Sequence, residues 1–317
     1  LLRKQPSEGA SCKRREADLL MAILDRFLTS ESSFQQRFFF LAKRFVAGET
    51  VTDAMEAIRS LNAAGMTATL DFLGEDVTSR DEALRTRDAY FDLLDRIEAD
   101  GVKTNVSVKL TACGMLINED FAYENLKAIV ERAARNADPF VRIDMEGSAL
   151  AEATLRVFER VYADHKNVGP VLQAYLRRTP DDVAAAIAQG ARVRLCKGAY
   201  KEPPTVAHQE MPIIRREYLR LAESLLTDGL YPGIATHDER IIAAVKAFAS
   251  ERGIGKERFE FQLLYGVRTD LQKSLVEDGY NVRIYVPFGT HWAGYFYRRI
   301  SERKENAFLA LRALVQR

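Results

Sequence analysis

The chain has 317 residues, enough for one large α/β domain or two small ones, and 47 % of them are apolar. Lysine plus arginine (46) and aspartate plus glutamate (45) nearly cancel to a formal charge of +1, which excludes a basic nucleic-acid surface as the organising feature. No run of about 18 apolar residues occurs, which excludes a membrane-spanning helix, and the three scattered cysteines, Cys12, Cys113 and Cys196, fit a reducing compartment and make neither a disulfide framework nor a zinc site.

Residues 1–16 are polar and charged. Asp18 to Phe27 and Phe34 to Val46 have the apolar spacing of amphipathic helices, and Phe38 to Leu41 is apolar enough to demand a packing partner. Thr52 to Ala63 is a third helical stretch, with Gly65 as its stop. Residues 1–66 are thus expected to form a helical segment packed on a catalytic domain of residues 67–317.

A rhythm begins at Thr67. Strands are expected at Thr67–Leu73, Lys103–Leu110, Phe140–Met145, Gly169–Leu176, Ala191–Lys197, Gly233–His237, Phe259–Tyr265 and Asn281–Val286. Helices are expected at about Ser79–Asp100, Asn118–Asn136, Ala149–His165, from Pro180 with Thr179 as its cap, Pro212–Asp228, Asp238–Glu251 and Asp270–Glu277. Pro287 and Gly289 should stop the last strand, and Thr290 should cap one more helix. Strands each followed by a helix argue for a closed parallel (β/α)8 TIM barrel; a doubly wound open sheet is the runner-up. The barrel is favoured because the strands carry one polar residue each, late in the run: Asp71, Lys109, Asp144, Gln173, Arg194, His237, Gln262 and Tyr285. In a barrel those ends converge on one mouth, where sites are built.

On the last helix Tyr295, Arg298, Arg299 and Glu302 fall at i, i+3, i+4 and i+7, on one face. Two guanidinium forks there suit a carboxylate; the plainer alternative is a solvated pair of Arg298 with Glu302, contributing about 0.3–0.5 kcal/mol. Four kinds of chemistry compete for the mouth. A metal site would use His237, Asp144 and Glu146, but the ligands are few and the neighbouring cations oppose it. A Schiff-base lyase would use Lys109 or Lys197. A Ser-His-Asp hydrolase has no G-x-S-x-G, and neither a G-x-G-x-x-G nor a Walker loop is present. A cofactor barrel would use Lys197 and Gly198, directly after a strand, with Thr236 and His237 on the next, to bracket a pyrophosphate.

Motifs in order along residues 71–302 decide between these by likeness. They are D-x-L-G-E at Asp71–Glu75, V-S-x-K at Val106–Lys109, I-D-M-E at Ile143–Glu146 and Q-A-Y-L at Gln173–Leu176. R-L-x-K-G-A-Y at Arg194–Tyr200, A-T-H at Ala235–His237, Y-x-P-x-G-T-H at Tyr285–His291 and R-R-x-x-E at Arg298–Glu302 complete the set. The chain resembles the proline dehydrogenase family in its short monofunctional bacterial form. The resemblance implies a distorted (β/α)8 barrel, FAD, and oxidation of L-proline to Δ1-pyrroline-5-carboxylate by hydride transfer from proline C5 to flavin N5. It implies that Arg298 and Arg299 clamp the proline carboxylate and that Lys109 and Tyr285 complete the substrate pocket. Asp144 and Arg194 would be the catalytic pair beside the flavin. Met145, Gln173, Arg194, Lys197, Gly198, Ala199, Thr236, His237 and Glu302 would hold FAD. It implies electron transfer to membrane quinone. With no visible signal peptide and no spanning helix, the expected place is cytoplasmic, with peripheral contact at the inner face of the membrane. It leaves open a hand-over of product to a separate pyrroline-5-carboxylate dehydrogenase. A non-enzymatic flavin barrel and a lysine-based aldolase are the remaining alternatives.

Overall fold

The computed structural model describes Phe39 and residues 42–296. Its eight strands close into a single barrel in chain order, every neighbouring pair parallel. They are β1 Thr67–Phe72, β2 Thr104–Lys109, β3 Val141–Asp144, β4 Val168–Gln173, β5 Arg194–Cys196, β6 Gly233–Ala235, β7 Glu260–Leu264 and β8 Asn281–Phe288. Helix α1, Val51–Ala63, precedes them. Between the strands run α2 Arg80–Asp100, α3 Glu119–Ala133, α4 Ser148–Asp164, α5 Thr179–Ala188, α6 Met211–Asp228, α7 Glu239–Glu251 and α8 Thr269–Glu277. β2 and β4 are buried at every position, as expected for strands pressed between a barrel interior and a helical layer. None of the helices among the described residues is long and apolar enough to cross a membrane.

Helix α1 starts on a capping box: the Thr50 hydroxyl accepts from Asp53 N–H, and the Asp53 carboxylate accepts from Thr50 N–H. Its buried residues Ala54, Met55, Ile58 and Leu61 form one face, which packs on β1 and β8. The helix before the first strand therefore covers the seam where the barrel closes. The chain after β8 goes elsewhere. Trp292, Ala293, Tyr295 and Phe296 pack with Phe45, Val46 and Leu73 in a cluster apart from the main core.

Several boundaries differ from the sequence expectations for identifiable reasons. Residues 43–45 form a turn, so the helix expected to reach Val46 ends sooner. The last strand does not stop at Pro287. The Pro287 carbonyl accepts Ala47 N–H at 2.9 Å, Leu73 N–H bonds Phe288 O at 2.9 Å and Gly289 N–H bonds Gly48 O at 3.0 Å, so neighbouring backbone stitches the strand past a residue that cannot donate. Thr179 does not cap α5 but opens it, because its hydroxyl donates to the Gln173 carbonyl at 2.6 Å. The last helix begins at Trp292, two residues beyond the expected cap Thr290. β5 and β6 are short, which leaves Lys197, Thr236 and His237 in the loops above them.

Candidate active site

The strand ends and the loops above them enclose a cleft of about 400 Å³. Every described residue assigned to the site from sequence lines it: Lys109, Asp144, Met145, Gln173, Arg194, Lys197, Gly198, Ala199, Thr236, His237 and Tyr285. Arg298, Arg299 and Glu302 lie outside the described residues. Tyr295, which shares their expected helical face, also lines the cleft.

Asp144, the last residue of β3, is the hub. Its Oδ1 accepts from Ser107 Oγ at 2.6 Å and Arg194 Nη1 at 2.9 Å, and its Oδ2 accepts from the Tyr285 phenol at 2.7 Å. Burial keeps the Tyr285 phenol protonated, and the charges of Asp144 and Asp71 push the same way. A carboxylate taking three donors is fixed in place, which suits it to orienting the groups around it.

Lys109 Nζ lies 2.9 and 2.8 Å from the two carboxylate oxygens of Asp71 on the neighbouring strand, and Asp71 is fully buried. Burial alone would lower the lysine, but the carboxylates of Asp71 and Asp144 outweigh it and hold the ammonium above its ordinary range. Lys197 Nζ sits 2.6 Å from Asp238 Oδ2. Each lysine is thus engaged by a carboxylate, whereas a Schiff base needs a desolvated amine without such a partner. Among the described residues no group of three or more His, Cys, Asp or Glu side chains is placed to hold a metal. The cations of the mouth among the described residues, Lys109, Arg194 and Lys197, each face an aspartate.

Asp238 caps α7 by accepting from Arg240 N–H and takes Arg215 Nε at 2.7 Å besides Lys197. Burial opposes its charge, yet the hydrogen bonds from Lys197 and Arg215 hold it down from 3.8 to about 2. A folded-state pKa below the unfolded one gives stability that is present above the unfolded value and lost as pH falls through the folded one. Melting of the wild type should therefore drop between about pH 4 and pH 2, and Asp238→Asn should lose part of that drop. An unchanged pH profile in the variant would place the acid sensitivity elsewhere.

His237 Nε2 accepts Leu264 N–H at 3.0 Å, so the ring carries its proton on Nδ1. Gly198 has φ +113°, and a Cβ there would fall 2.2 Å from the Tyr175 ring. The glycine is required by that aromatic contact beneath the loop, a reason different from the close phosphate approach expected from sequence. Gln173 is the most telling group. Its Nε2 is spent on the Met145 and Glu146 carbonyls, but its buried Oε1 has no partner among the described residues. A buried acceptor left this way is costly unless a bound group donates to it.

The family model for proline dehydrogenase matches residues 54–309. The chain belongs to the proline dehydrogenase family. Proline dehydrogenase of Deinococcus radiodurans is 38 % identical over 291 residues, covering 90 % of this chain and 94 % of that one. Proline dehydrogenase 1 of Bacillus subtilis is 37 % identical over 276 residues, covering 87 % and 91 %. Among solved structures, proline utilization A from Bdellovibrio bacteriovorus inactivated by N-propargylglycine superposes with a TM-score of 0.76 at 28 % identity. That match covers 83 % of this chain and 32 % of the other, so the chain spans about a third of that larger protein. As a proline dehydrogenase family member the chain is an oxidoreductase on a TIM barrel. Two residues of its site escaped the sequence reading. Asp238 was signalled only as the first residue of a helix after A-T-H. Ser107 lay in the middle of a strand, with nothing to mark its reach to Asp144.

Proposed function

We propose that this chain oxidises L-proline to Δ1-pyrroline-5-carboxylate, the first step of proline catabolism, with FAD as the hydride acceptor and membrane quinone as the onward electron acceptor. The observation that carries the reading is the unspent Gln173 acceptor in a cleft that also holds Arg194, Asp144, Tyr285 and Lys109, within a chain of this family. When bound, FAD supplies the two-electron chemistry that protein side chains lack.

The protein's part is binding, orientation and charge. Gln173 would accept from the flavin, and Met145, Lys197, Gly198, Ala199, Thr236 and His237 would line its seat, with Glu302 from the last helix. Arg194 would hold positive charge where negative charge gathers on reduction. Arg298 and Arg299 would take the proline carboxylate, which fixes the carbon presented for oxidation. Lys109 and Tyr285 would bound the same pocket, the phenol kept protonated by burial first and the ammonium by its carboxylate neighbours. Release of hydride requires an unprotonated amine. With Lys109, Arg194 and Lys197 each matched by an aspartate, the surplus positive charge that favours that form would come from Arg298 and Arg299. Electron transfer to quinone implies peripheral contact with a membrane from the cytoplasmic side, and product could pass to a separate pyrroline-5-carboxylate dehydrogenase.

The deciding experiment is a visible spectrum of the purified protein before and after L-proline. Bands near ~375 and ~450 nm should bleach with proline and return on adding a soluble quinone analogue. Bands that do not bleach would remove proline as substrate. A colourless protein that takes up no added FAD would remove the cofactor and reopen the lyase.

A further inference from the structure

Arg194 is gripped from inside the barrel as well as from the cleft. Its Nε donates to Gln262 Oε1 at 2.5 Å, and Gln262 Nε2 donates to Glu260 Oε1 at 2.6 Å. Glu260 is itself held: its Oε1 also accepts Arg283 Nε at 2.8 Å, and its Oε2 accepts the Tyr231 phenol at 3.3 Å. Arg283 reaches the Ala68 carbonyl at 2.7 Å and Asp138 at 3.1 Å. Glu260, Gln262, Arg194 and Arg283 are all buried. This row runs through the barrel, across β5, β7 and β8. Even the backbone makes room for it, since a Cβ on Gly233 would fall 2.3 Å from Gln262 Nε2.

The donor and acceptor chemistry allows one arrangement. Glu260 can only accept, so it takes the amide NH₂ of Gln262; the amide oxygen must then face Arg194, which can only donate. One bond to Asp144 would let the guanidinium pivot about Nη1. A second bond, on a different nitrogen, fixes its plane. Among the described residues, Nε is used by Gln262 and Nη1 by Asp144 and Ser107, which leaves Nη2 for the occupant of the cleft.

We propose that Gln262 is a positioning residue for Arg194, its amide turned by the Glu260–Arg283 pair so that the guanidinium plane is set for the group bound in the cleft. This rests on the reading that the cleft holds FAD and oxidises proline. Gln262 also lines the cleft, but its amide oxygen is spent on Arg194 and its NH₂ donates to Glu260, so it acts through Arg194, in a low-dielectric interior where a misplaced charge is costly.

The test is Gln262→Met in the FAD-loaded enzyme. This change keeps length and removes both polar atoms. Flavin content should stay at the wild-type level and KM for proline should change by less than about two-fold, while kcat falls by about ten-fold or more. The flavin midpoint potential, measured without substrate, should become more negative, because a guanidinium no longer held beside the reduced ring stabilises it less. Packing alone would not move that potential. Should Gln262→Met fail to fold, Gln262→Asn keeps the amide but draws it back one methylene, and should shift kcat and potential in the same directions. Wild-type kcat and potential in a folded variant overturn the proposal. A wild-type protein that takes up no FAD, or is not bleached by proline, overturns the function reading, and this one with it. A wild-type enzyme that bleaches and a variant that matches it overturn this one alone.

Discussion

Arg194→Met is expected to lower kcat for proline oxidation by about 10²–10³-fold, the usual cost of removing one preorganised group aimed at developing charge. Arg194 is almost fully buried, and it joins the Asp144 hub to the polar interior of the barrel. Its loss leaves Asp144, among the described residues, with only the neutral donors Ser107 and Tyr285, so the carboxylate loses the charge partner seen here while the cleft loses a cation. The rate of anaerobic bleaching by saturating proline isolates this step from reoxidation. A drop of less than ten-fold, with flavin content intact, would mean that the charge near the reacting atoms comes from another residue.

Lys109→Met is the largest expected stability effect. It strands Asp71, which is wholly buried beneath it, and unpairing a buried ion pair costs about 3–5 kcal/mol. Burial raises the Asp71 carboxyl, and in the wild type Lys109 opposes that rise. Without the lysine the carboxyl rises further. A folded-state pKa above the unfolded one gives stability that is lost as pH rises through it. The variant should therefore lie nearest the wild type at acid pH and furthest from it at neutral pH. The double variant Asp71→Asn, Lys109→Met should recover most of the loss in urea melts, because no unpaired charge remains. A double variant no more stable than the single one would assign the loss to the shape of the lysine stem. Both variants should also bind proline more weakly if Lys109 borders the substrate.

The barrel was legible because its period is local: each strand and helix carries its own hydrophobic pattern, and the alternation needs no long-range knowledge. The lining of the cleft was legible for a related reason. Asp71, Lys109, Asp144 and Gln173 sit at or next to the C-terminal end of a strand, where convergence is a property of the topology. What escaped depends on residues far apart in the chain. Gln262 stood out as one more polar residue in a strand; that it faces Arg194 is set only by the way β5 to β7 lie together. Pro287 read as a stop because the backbone of residues 47–48, which continues the strand's bonding, lies some 240 positions earlier. Gly198 read as a place for a ligand; that a Cβ there would also strike the Tyr175 ring needed the fold to show it. The likeness to a family supplied what periodicity could not, namely which of several chemistries the mouth performs.

The longest ladder in the barrel joins its first strand to its last. β1 and β8 run in register over six residue pairs, from Thr67 with Arg283 to Phe72 with Phe288, whereas β5 and β6 share two. The strongest seam is thus also the one that must wait. A ribosome has released β1 more than two hundred residues before β8 is made, and until then β1 lacks the partner of its longest ladder and the face of α1 lacks one of the two strands it covers. Loop closure over that distance comes late, and contacts so far apart in sequence make folding slow. The nascent chain carries an exposed strand edge through most of its synthesis, which makes it a client for chaperones and a source of pairing between copies. A nonsense codon anywhere before Asn281 leaves that edge open for good. Such fragments should accumulate as aggregates, and shorter working barrels should not.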